Sequence, residues 1–104
     1  MDCKTGEKAE KLLEAIGEPA SLELLAEECA ELAHAALKLA RAERLENPTP
    51  KTQSDCREEI FEEVADVLIS MELIEKCPWW DKSRMVTYYR NHIRRFIGRV
   101  KREG

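Results

Sequence analysis

The sequence predicts an all-α protein, an antiparallel helical bundle of about four helices that forms a single domain over residues 1–104. Apolar residues recur at three- and four-residue spacing, no segment alternates as a strand does, and the 104 residues include only 4 Gly and 4 Pro. Hydrophobic residues at 43% and charged residues at 37% exclude a disordered tail and a loop-rich scaffold. Because so short a chain buries little by itself, we expect the bundle to be completed by oligomerisation, as a homodimer or homotetramer.

The first two predicted helices lie on either side of a Gly-Glu-Pro boundary at residues 17–19. Residues 7–16 form a short first helix with apolar side chains on one side. The second helix covers residues 21–45, with Ser21 as its N-cap. Its predicted apolar face consists of Leu22, Leu25, Cys29, Leu32, Ala36 and Leu39.

The third predicted helix follows the Asn-Pro-Thr-Pro segment at residues 47–50 and covers residues 54–76. The Ser54 hydroxyl is its expected cap, and the acidic residues that follow favour the positive end of the helix dipole. Its predicted apolar face consists of Ile60, Val64, Val67, Met71 and Ile74.

The fourth predicted helix starts near Asp81, after Cys77-Pro78, and continues to the end of the sequence. Its apolar stripe has the spacing of an amphipathic helix and consists of Met85, Tyr89, Ile93, Phe96 and Val100. We expect Tyr89 and Phe96 to lie in the core. Trp79 and Trp80, just before this helix, are expected to plug one end of the bundle or a subunit interface, with base stacking as the alternative.

The charge is divided unevenly along the chain. Residues 1–81 hold 20 acids and 9 bases, a net charge of −11, whereas residues 82–104 hold 8 bases and Glu103, a net charge of +7. An acidic body with a basic C-terminal element suits a protein that holds a cation and phosphates, and it also suits a basic helix that packs on an acidic bundle. The acidic body argues against nucleic acid as a partner of the basic helix.

The four cysteines show no C-x-x-C spacing, which excludes the usual zinc sites and a disulfide framework. We expect them to be reduced, with Cys29 buried on the apolar face of the second helix. No stretch approaches the roughly 18 apolar residues of a membrane span, and residues 1–11 are too charged for a signal peptide. The expected compartment is the cytoplasm, with no membrane partner.

Two segments with the same residue pattern carry the candidate chemistry. Residues 25–32 and 60–67 both read apolar, any residue, Glu, Glu, apolar, Ala, acid, apolar. Within each helix, the second Glu and the later acid border the apolar face on the same side, and a small residue, Ala35 or Ser70, follows on that stripe. These bordering acids are Glu28, Glu31, Glu63 and Asp66.

Side-by-side packing of the two helices would bring these four acids together, where they would repel one another without a cation between them. Carboxylate oxygens without His or Cys suit a hard ion, Mg²⁺ or Mn²⁺, which also bridges to substrate phosphates. One such acidic pair is common at the edge of a helical core, but two matching pairs favour metal binding.

The spacing E-E-x-x-E followed by E-x-x-D resembles that of the MazG-like, all-α nucleoside triphosphate pyrophosphohydrolase family. The resemblance covers residues 25–39, 47–54 and 59–73, and more loosely 88–95. It implies a helical bundle assembled as dimers or tetramers. It also implies Mg²⁺-dependent hydrolysis of a (deoxy)nucleoside triphosphate to the monophosphate and pyrophosphate.

By position, the resemblance implies that Glu28, Glu31, Glu63 and Asp66 are the metal ligands, with Glu27 in a supporting role. The chain has no Ser, Cys or His placed as a nucleophile, so a metal-activated water is the expected attacking group, with Glu28 or Glu31 as the proton acceptor. In the last helix Tyr88 stands where the family often has Lys. The candidate contacts to phosphates or sugar are Lys38, Lys82, Asn91, Arg94 and Arg95.

Two other classes of function remain open from the sequence. Glu31-x-x-His34 matches one Glu-x-x-His unit of the di-iron carboxylate bundles, although the third helix places Ile69 where a second His would be needed. A surface role for His34 and for His92 is the simpler interpretation. The remaining class is a non-catalytic helical module that binds a nucleotide or a protein partner.

Overall fold

The computed structural model describes residues 3–45 and 52–103. Within these ranges the chain forms four helices. They are α1 (Cys3–Ile16), α2 (Glu18–Arg44), α3 (Gln53–Glu75) and α4 (Lys82–Glu103). No strand occurs in these two ranges, so the predicted all-α class is confirmed. The Pro-Thr-Pro segment at residues 48–50 lies outside the described residues.

The boundary between α1 and α2 is a single residue, Gly17. Its backbone has a φ of 85°, in the left-handed region that glycine adopts without steric cost, and Pro19 follows within the first turn of α2. The prediction of Ser21 as N-cap is wrong, because α2 begins three residues earlier at Glu18. The buried Ser21 hydroxyl instead donates a hydrogen bond of 2.8 Å to the Gly17 carbonyl oxygen.

The start of α3 is fixed by a capping box. The backbone N–H of Asp55 donates to Thr52 Oγ1 at 3.1 Å, and the Thr52 N–H donates back to Asp55 Oδ2 at 3.4 Å. Thr52 is therefore the cap, and the prediction of Ser54 was two residues too late. At its other end α3 stops at Glu75, one residue before the predicted end.

The helices α2 and α3 are antiparallel and form the main contact of the fold. Glu43 near the end of α2 pairs with Arg57 near the start of α3 at 2.6 Å, and Lys38, one turn earlier in α2, pairs with Glu59 at 3.3 Å. The helix α1 packs against both, more closely against α3. The buried apolar residues of this three-helix unit are mostly small: Ala9, Ala35, Ala42, Cys56, Leu73, Ile74 and Cys77.

The last helix, α4, does not pack along the other three helices. Asp81 caps it, since its Oδ1 accepts the Arg84 backbone N–H at 3.2 Å and the Ser83 hydroxyl at 2.7 Å. Beyond that turn, α4 makes at most an isolated contact with α1, α2 or α3. The prediction that Tyr89 and Phe96 lie in the core is wrong for the single chain, where their side chains are 65% and 56% exposed.

The prediction for Cys29 is also wrong, because this thiol is exposed; of the three cysteines whose side chains are described, Cys56 and Cys77 are the buried ones. Part of the predicted apolar faces, including Leu22 and Val64, is likewise exposed in the single chain. The helices α2 and α3 meet along a line beside those faces. Among the described residues, no helix combines the length and the apolar character that crossing a bilayer requires.

Candidate metal centre

Two carboxylates lie at heptad positions in the line of contact between α2 and α3. On α2, Glu28 precedes the buried Ala35 by seven residues, and on α3, Glu63 precedes the buried Ser70 by seven. The small residues leave room between the helices, and both Glu side chains are half-buried.

Three glutamates converge at this place. Glu28, Glu31 and Glu63 each offer one carboxylate oxygen, and the three oxygens lie within 4.8 Å of one another. Glu28 Oε2 and Glu63 Oε2 are both buried and have no hydrogen-bond partner. A buried carboxylate oxygen without a donor is costly, so the arrangement is incomplete without a proton or a cation.

Burial and the crowding of negative charge also raise the pKa values of two of these glutamates. Burial, and then the negative charges of Glu31, Asp66 and Glu27, raise the pKa of Glu28 above its ordinary value. Burial also raises the pKa of Glu63, followed by the charge of Glu31, the hydrogen bond that Glu63 can donate to Glu31 once it is protonated, and the charges of Asp66 and Glu28. Both groups therefore hold protons more strongly than a solvated glutamate does.

The other predicted acids lie around the three glutamates. Asp66 is exposed and lies outside the group of mutually close oxygens, although its charge acts on both Glu28 and Glu63. Glu27 is exposed and acts on Glu28 through its charge. The structure thus joins three of the four predicted ligands and leaves Asp66 beside them.

A cleft of about 300 Å³ opens next to the cluster. Its lining residues are Glu31, His34, Ala35, Lys38, Glu59, Glu62 and Glu63. Lys38 lines this cleft, and its ammonium group pairs with Glu59 Oε2 at 3.3 Å. His34 is exposed at the cleft, and no nitrogen of it belongs to the group of close donor atoms.

The remaining candidates for substrate contacts are not at the cleft of this chain. Lys82, Asn91, Arg94 and Arg95 are exposed on α4, and none of them lines the cleft. Tyr88 is also exposed, with its ring centroid 5.9 Å from that of His92. It lines a separate pocket of about 360 Å³ with Trp79, Trp80, Asp81, Arg84 and Met85.

The Trp pair holds the turn between α3 and α4. Trp79 Nε1 donates a hydrogen bond to Glu18 Oε1 at the start of α2. The Trp80 ring meets that of Trp79 edge-on, with centroids 6.3 Å apart. This contact ties the turn to the start of α2, while the Trp79 side chain stays 53% exposed.

Two further acids, Glu59 and Glu62, line the cleft and were not among the predicted site residues. Glu59 lies one helical turn before Glu63, so a search at four-residue spacing would have placed it on the same stripe. The side chain of Glu62 also lines the cleft.

The cluster fits a hard divalent cation. Its donor atoms are all carboxylate oxygens, which Mg²⁺ and Mn²⁺ prefer, and two of these oxygens are buried without a donor. A cation would occupy the place of the missing donor and offset the repulsion among the acids. Comparison of the chain with the profiles of protein families, with curated proteins and with solved structures found no match.

Proposed function

We propose that the protein is a Mg²⁺-dependent nucleotide pyrophosphohydrolase of the MazG-like type, acting on a (deoxy)nucleoside triphosphate. The observation that supports it is the convergence of Glu28 and Glu31 from one acidic motif with Glu63 from the other. Where the two motifs meet, Glu28 and Glu63 each bury one carboxylate oxygen that accepts no hydrogen bond. The open cleft beside them is lined by Glu31 and Glu63, so a phosphate chain in the cleft would lie next to the cluster.

In this proposal Glu28, Glu31 and Glu63 hold the cation. Asp66, beside these three glutamates, is either a fourth ligand of the cation or a residue that orients one of the three. When bound, the divalent cation neutralises phosphate charge and lowers the pKa of water. Mn²⁺ is expected to replace Mg²⁺, because both accept carboxylate oxygens.

The reaction transfers a nucleotidyl group to water. The water oxygen forms a bond to the α-phosphorus, and the bond from that phosphorus to the α,β-bridging oxygen breaks. The electron pair leaves with pyrophosphate, and the proton of the water passes to Glu28 or Glu31. Both lie one turn apart on α2, so one rigid helix positions ligand and base together. We place the activity in the cytoplasm, in a homodimer or homotetramer.

A panel of nucleoside and deoxynucleoside triphosphates with Mg²⁺, followed by phosphorus NMR, tests the proposal. The expected products are monophosphate and pyrophosphate. Glu63→Gln and Asp66→Asn should abolish them, whereas the matched change Glu58→Gln, at an exposed position on α3, should leave them unchanged. A folded oligomer that turns over no nucleotide with Mg²⁺ or Mn²⁺ would rule the proposal out.

A further inference from the structure

The cleft beside the three glutamates extends away from them in one direction. Its two walls are formed by Glu31, His34, Ala35 and Lys38 on α2, and by Glu59, Glu62 and Glu63 on α3. Glu31 and Glu63 belong to the carboxylate cluster, and the other lining residues lie closer to the end of α2 or to the start of α3. Because the two helices are antiparallel, these two directions coincide. A chain of phosphates that starts at the cluster and fills the cleft therefore passes the other lining residues.

Among the residues that line the cleft, only those on α2 offer hydrogen-bond donors. The α3 wall consists of carboxylates, which accept hydrogen bonds and donate none when they are ionised. On the α2 wall, the donors are the ammonium group of Lys38 and the imidazole ring of His34. An anion in this cleft therefore depends on these two side chains and on a bound cation.

The two donors differ in what they already bind. The Lys38 ammonium group donates to Glu59 Oε2 at 3.3 Å, and both side chains are partly buried. His34 is exposed, and within residues 3–45 and 52–103 it forms no hydrogen bond and no ion pair. The imidazole is thus the donor in the cleft that a ligand can engage without breaking an existing contact.

The spacing along α2 places His34 next to the second phosphate of a bound chain. With a rise of about 1.5 Å per residue, His34 lies about 4.5 Å beyond Glu31, whereas Lys38 lies about 10.5 Å beyond it. When the α-phosphate lies beside the three glutamates, the β-phosphate comes next along the cleft and reaches His34 before it reaches the Lys38–Glu59 pair. In the proposed reaction, the β-phosphate belongs to the leaving group.

We infer that His34 binds the leaving pyrophosphate, with a ring N–H donating a hydrogen bond to the oxygen that bridges the α- and β-phosphorus in the substrate. This role rests on the proposed function. The bridging oxygen receives the electron pair when its bond to the α-phosphorus breaks, so its negative charge grows during the reaction. The hydrogen bond strengthens with that charge and moves no proton. His34 therefore stabilises the transition state more than the bound substrate.

The kinetics of His34→Leu test the role at the leaving group. Both kcat and kcat/KM should fall by about 10- to 100-fold with little change in KM, because the lost hydrogen bond forms fully only as charge develops. His34→Gln keeps an N–H donor and should recover part of the loss. The matched control is His92→Leu, on α4 and outside the cleft lining, which should keep the natural activity. Helix content by circular dichroism should persist, since Leu and Gln are good helix formers.

Proton NMR of the imidazole C2–H groups tests the contact without turnover. The chain has 2 His residues and therefore gives two such signals, which the His34→Gln protein assigns. Addition of inorganic pyrophosphate with Mg²⁺ should shift the His34 signal saturably and leave the His92 signal in place. The shift should be lost in Glu63→Gln, because one carboxylate of the cluster is then missing.

An unchanged kcat in His34→Leu, or an equal kcat in His34→Leu and His34→Gln, would overturn the role of His34 at the leaving group. A His34 signal that pyrophosphate leaves unmoved would overturn the contact, and a shift that persists in Glu63→Gln would place the pyrophosphate away from the three glutamates. If the natural chain turns over no nucleotide, the proposed function fails, and the titration still decides whether His34 binds a phosphate anion beside the cluster.

Discussion

Glu28 on α2 and Glu63 on α3 each bury one carboxylate oxygen without a hydrogen-bond donor at the contact between the two helices. Two apolar residues would pack at these positions without that cost, so the pair weakens the metal-free fold. One oxygen of each lies within 4.8 Å of a carboxylate oxygen of Glu31, and Glu63 and Glu31 line the open cleft. Buried polar atoms without partners are expected at functional sites, where function rather than stability selects the residue.

Glu63→Gln should stabilise the metal-free protein. The amide keeps the size of the side chain, supplies a donor, and removes one of the mutually repelling charges. Urea denaturation in the presence of EDTA at pH 7.5 should give a larger free energy of unfolding for Glu63→Gln than for the natural chain. The matched control is Glu58→Gln, an exposed position on α3, which should change stability by no more than about 0.5 kcal/mol. A less stable Glu63→Gln protein would mean that the ionised carboxylate already has a favourable partner.

The advantage of Glu63→Gln should shrink as the pH falls. The folded-state pKa values of Glu28 and Glu63 lie above the ordinary 4.5, so between 4.5 and the raised values the folded state binds more protons than the unfolded state. Stability from these groups therefore increases as the pH falls through the raised pKa values, and the increase is complete below 4.5. Denaturation from pH 8 to pH 4.5 measures the difference between the two proteins. A difference that stays constant or grows towards low pH would contradict the raised pKa values.

Mg²⁺ should raise the melting temperature, and more so at pH 7.5 than at pH 5. A cation that binds only the folded state stabilises it by mass action, and protons compete for the same oxygens. Thermal denaturation with MgCl₂, against NaCl of equal ionic strength, separates binding from screening. The Glu63→Gln protein should lose most of the Mg²⁺ effect. An equal response of both proteins would place the stabilising cation elsewhere.

Thr52→Ala should cost about 1 kcal/mol of stability, whereas Ser54→Ala should cost less than about 0.5 kcal/mol. The Thr52 side chain accepts the N–H of Asp55, and the Asp55 side chain accepts the N–H of Thr52, so the change removes one half of the box. Equilibrium denaturation of both variants measures the difference. The reverse order would restore Ser54 as the cap of α3.

Leu45→Gly should stabilise the protein by about 0.5–1 kcal/mol, because Leu45 closes α2 in the left-handed conformation that is costly for any residue with a Cβ. Its backbone has a φ of 59°, and its side chain is 84% exposed, so little burial is lost. Part of the gain is offset by the freedom of glycine in the unfolded chain. Leu45→Ala keeps the Cβ and should bring no gain. Equal stability of the two variants would show that the conformation at residue 45 is not strained.

The helices could be predicted from the sequence because they depend on short-range periodicity. The meeting of Glu28, Glu31 and Glu63 could also be predicted, because the two motifs repeat one register on helices that pack side by side. Each predicted helix boundary lies within about four residues of the observed one. The caps were misplaced where another residue can start the helix. Gly17 supplies the left-handed backbone before Ser21, and Thr52 has an acid three residues later that completes a capping box. The pairing of the two motifs followed from matching register, which is why Glu28 and Glu63 were placed on facing stripes.

Burial was harder to predict, because the apolar faces of α2, α3 and α4 are wider than one chain can cover. A helical wheel places Cys29, Tyr89 and Phe96 on apolar faces, but it does not show whether such a face packs within one chain or against another molecule. All three residues are exposed in the single chain. The place of Asp66 outside the three close glutamates depends on side-chain rotamers, which the spacing of the acids does not fix.

Binding of Mn²⁺, followed by the loss of the electron paramagnetic resonance signal of the free ion, tests the carboxylate cluster most directly. The account predicts saturable binding by the natural chain, weakened at least about tenfold by Glu63→Gln and unaffected by Glu58→Gln. Equal binding by the natural and Glu63→Gln proteins, or no saturable binding at all, would show that the three converging glutamates do not form a cation site.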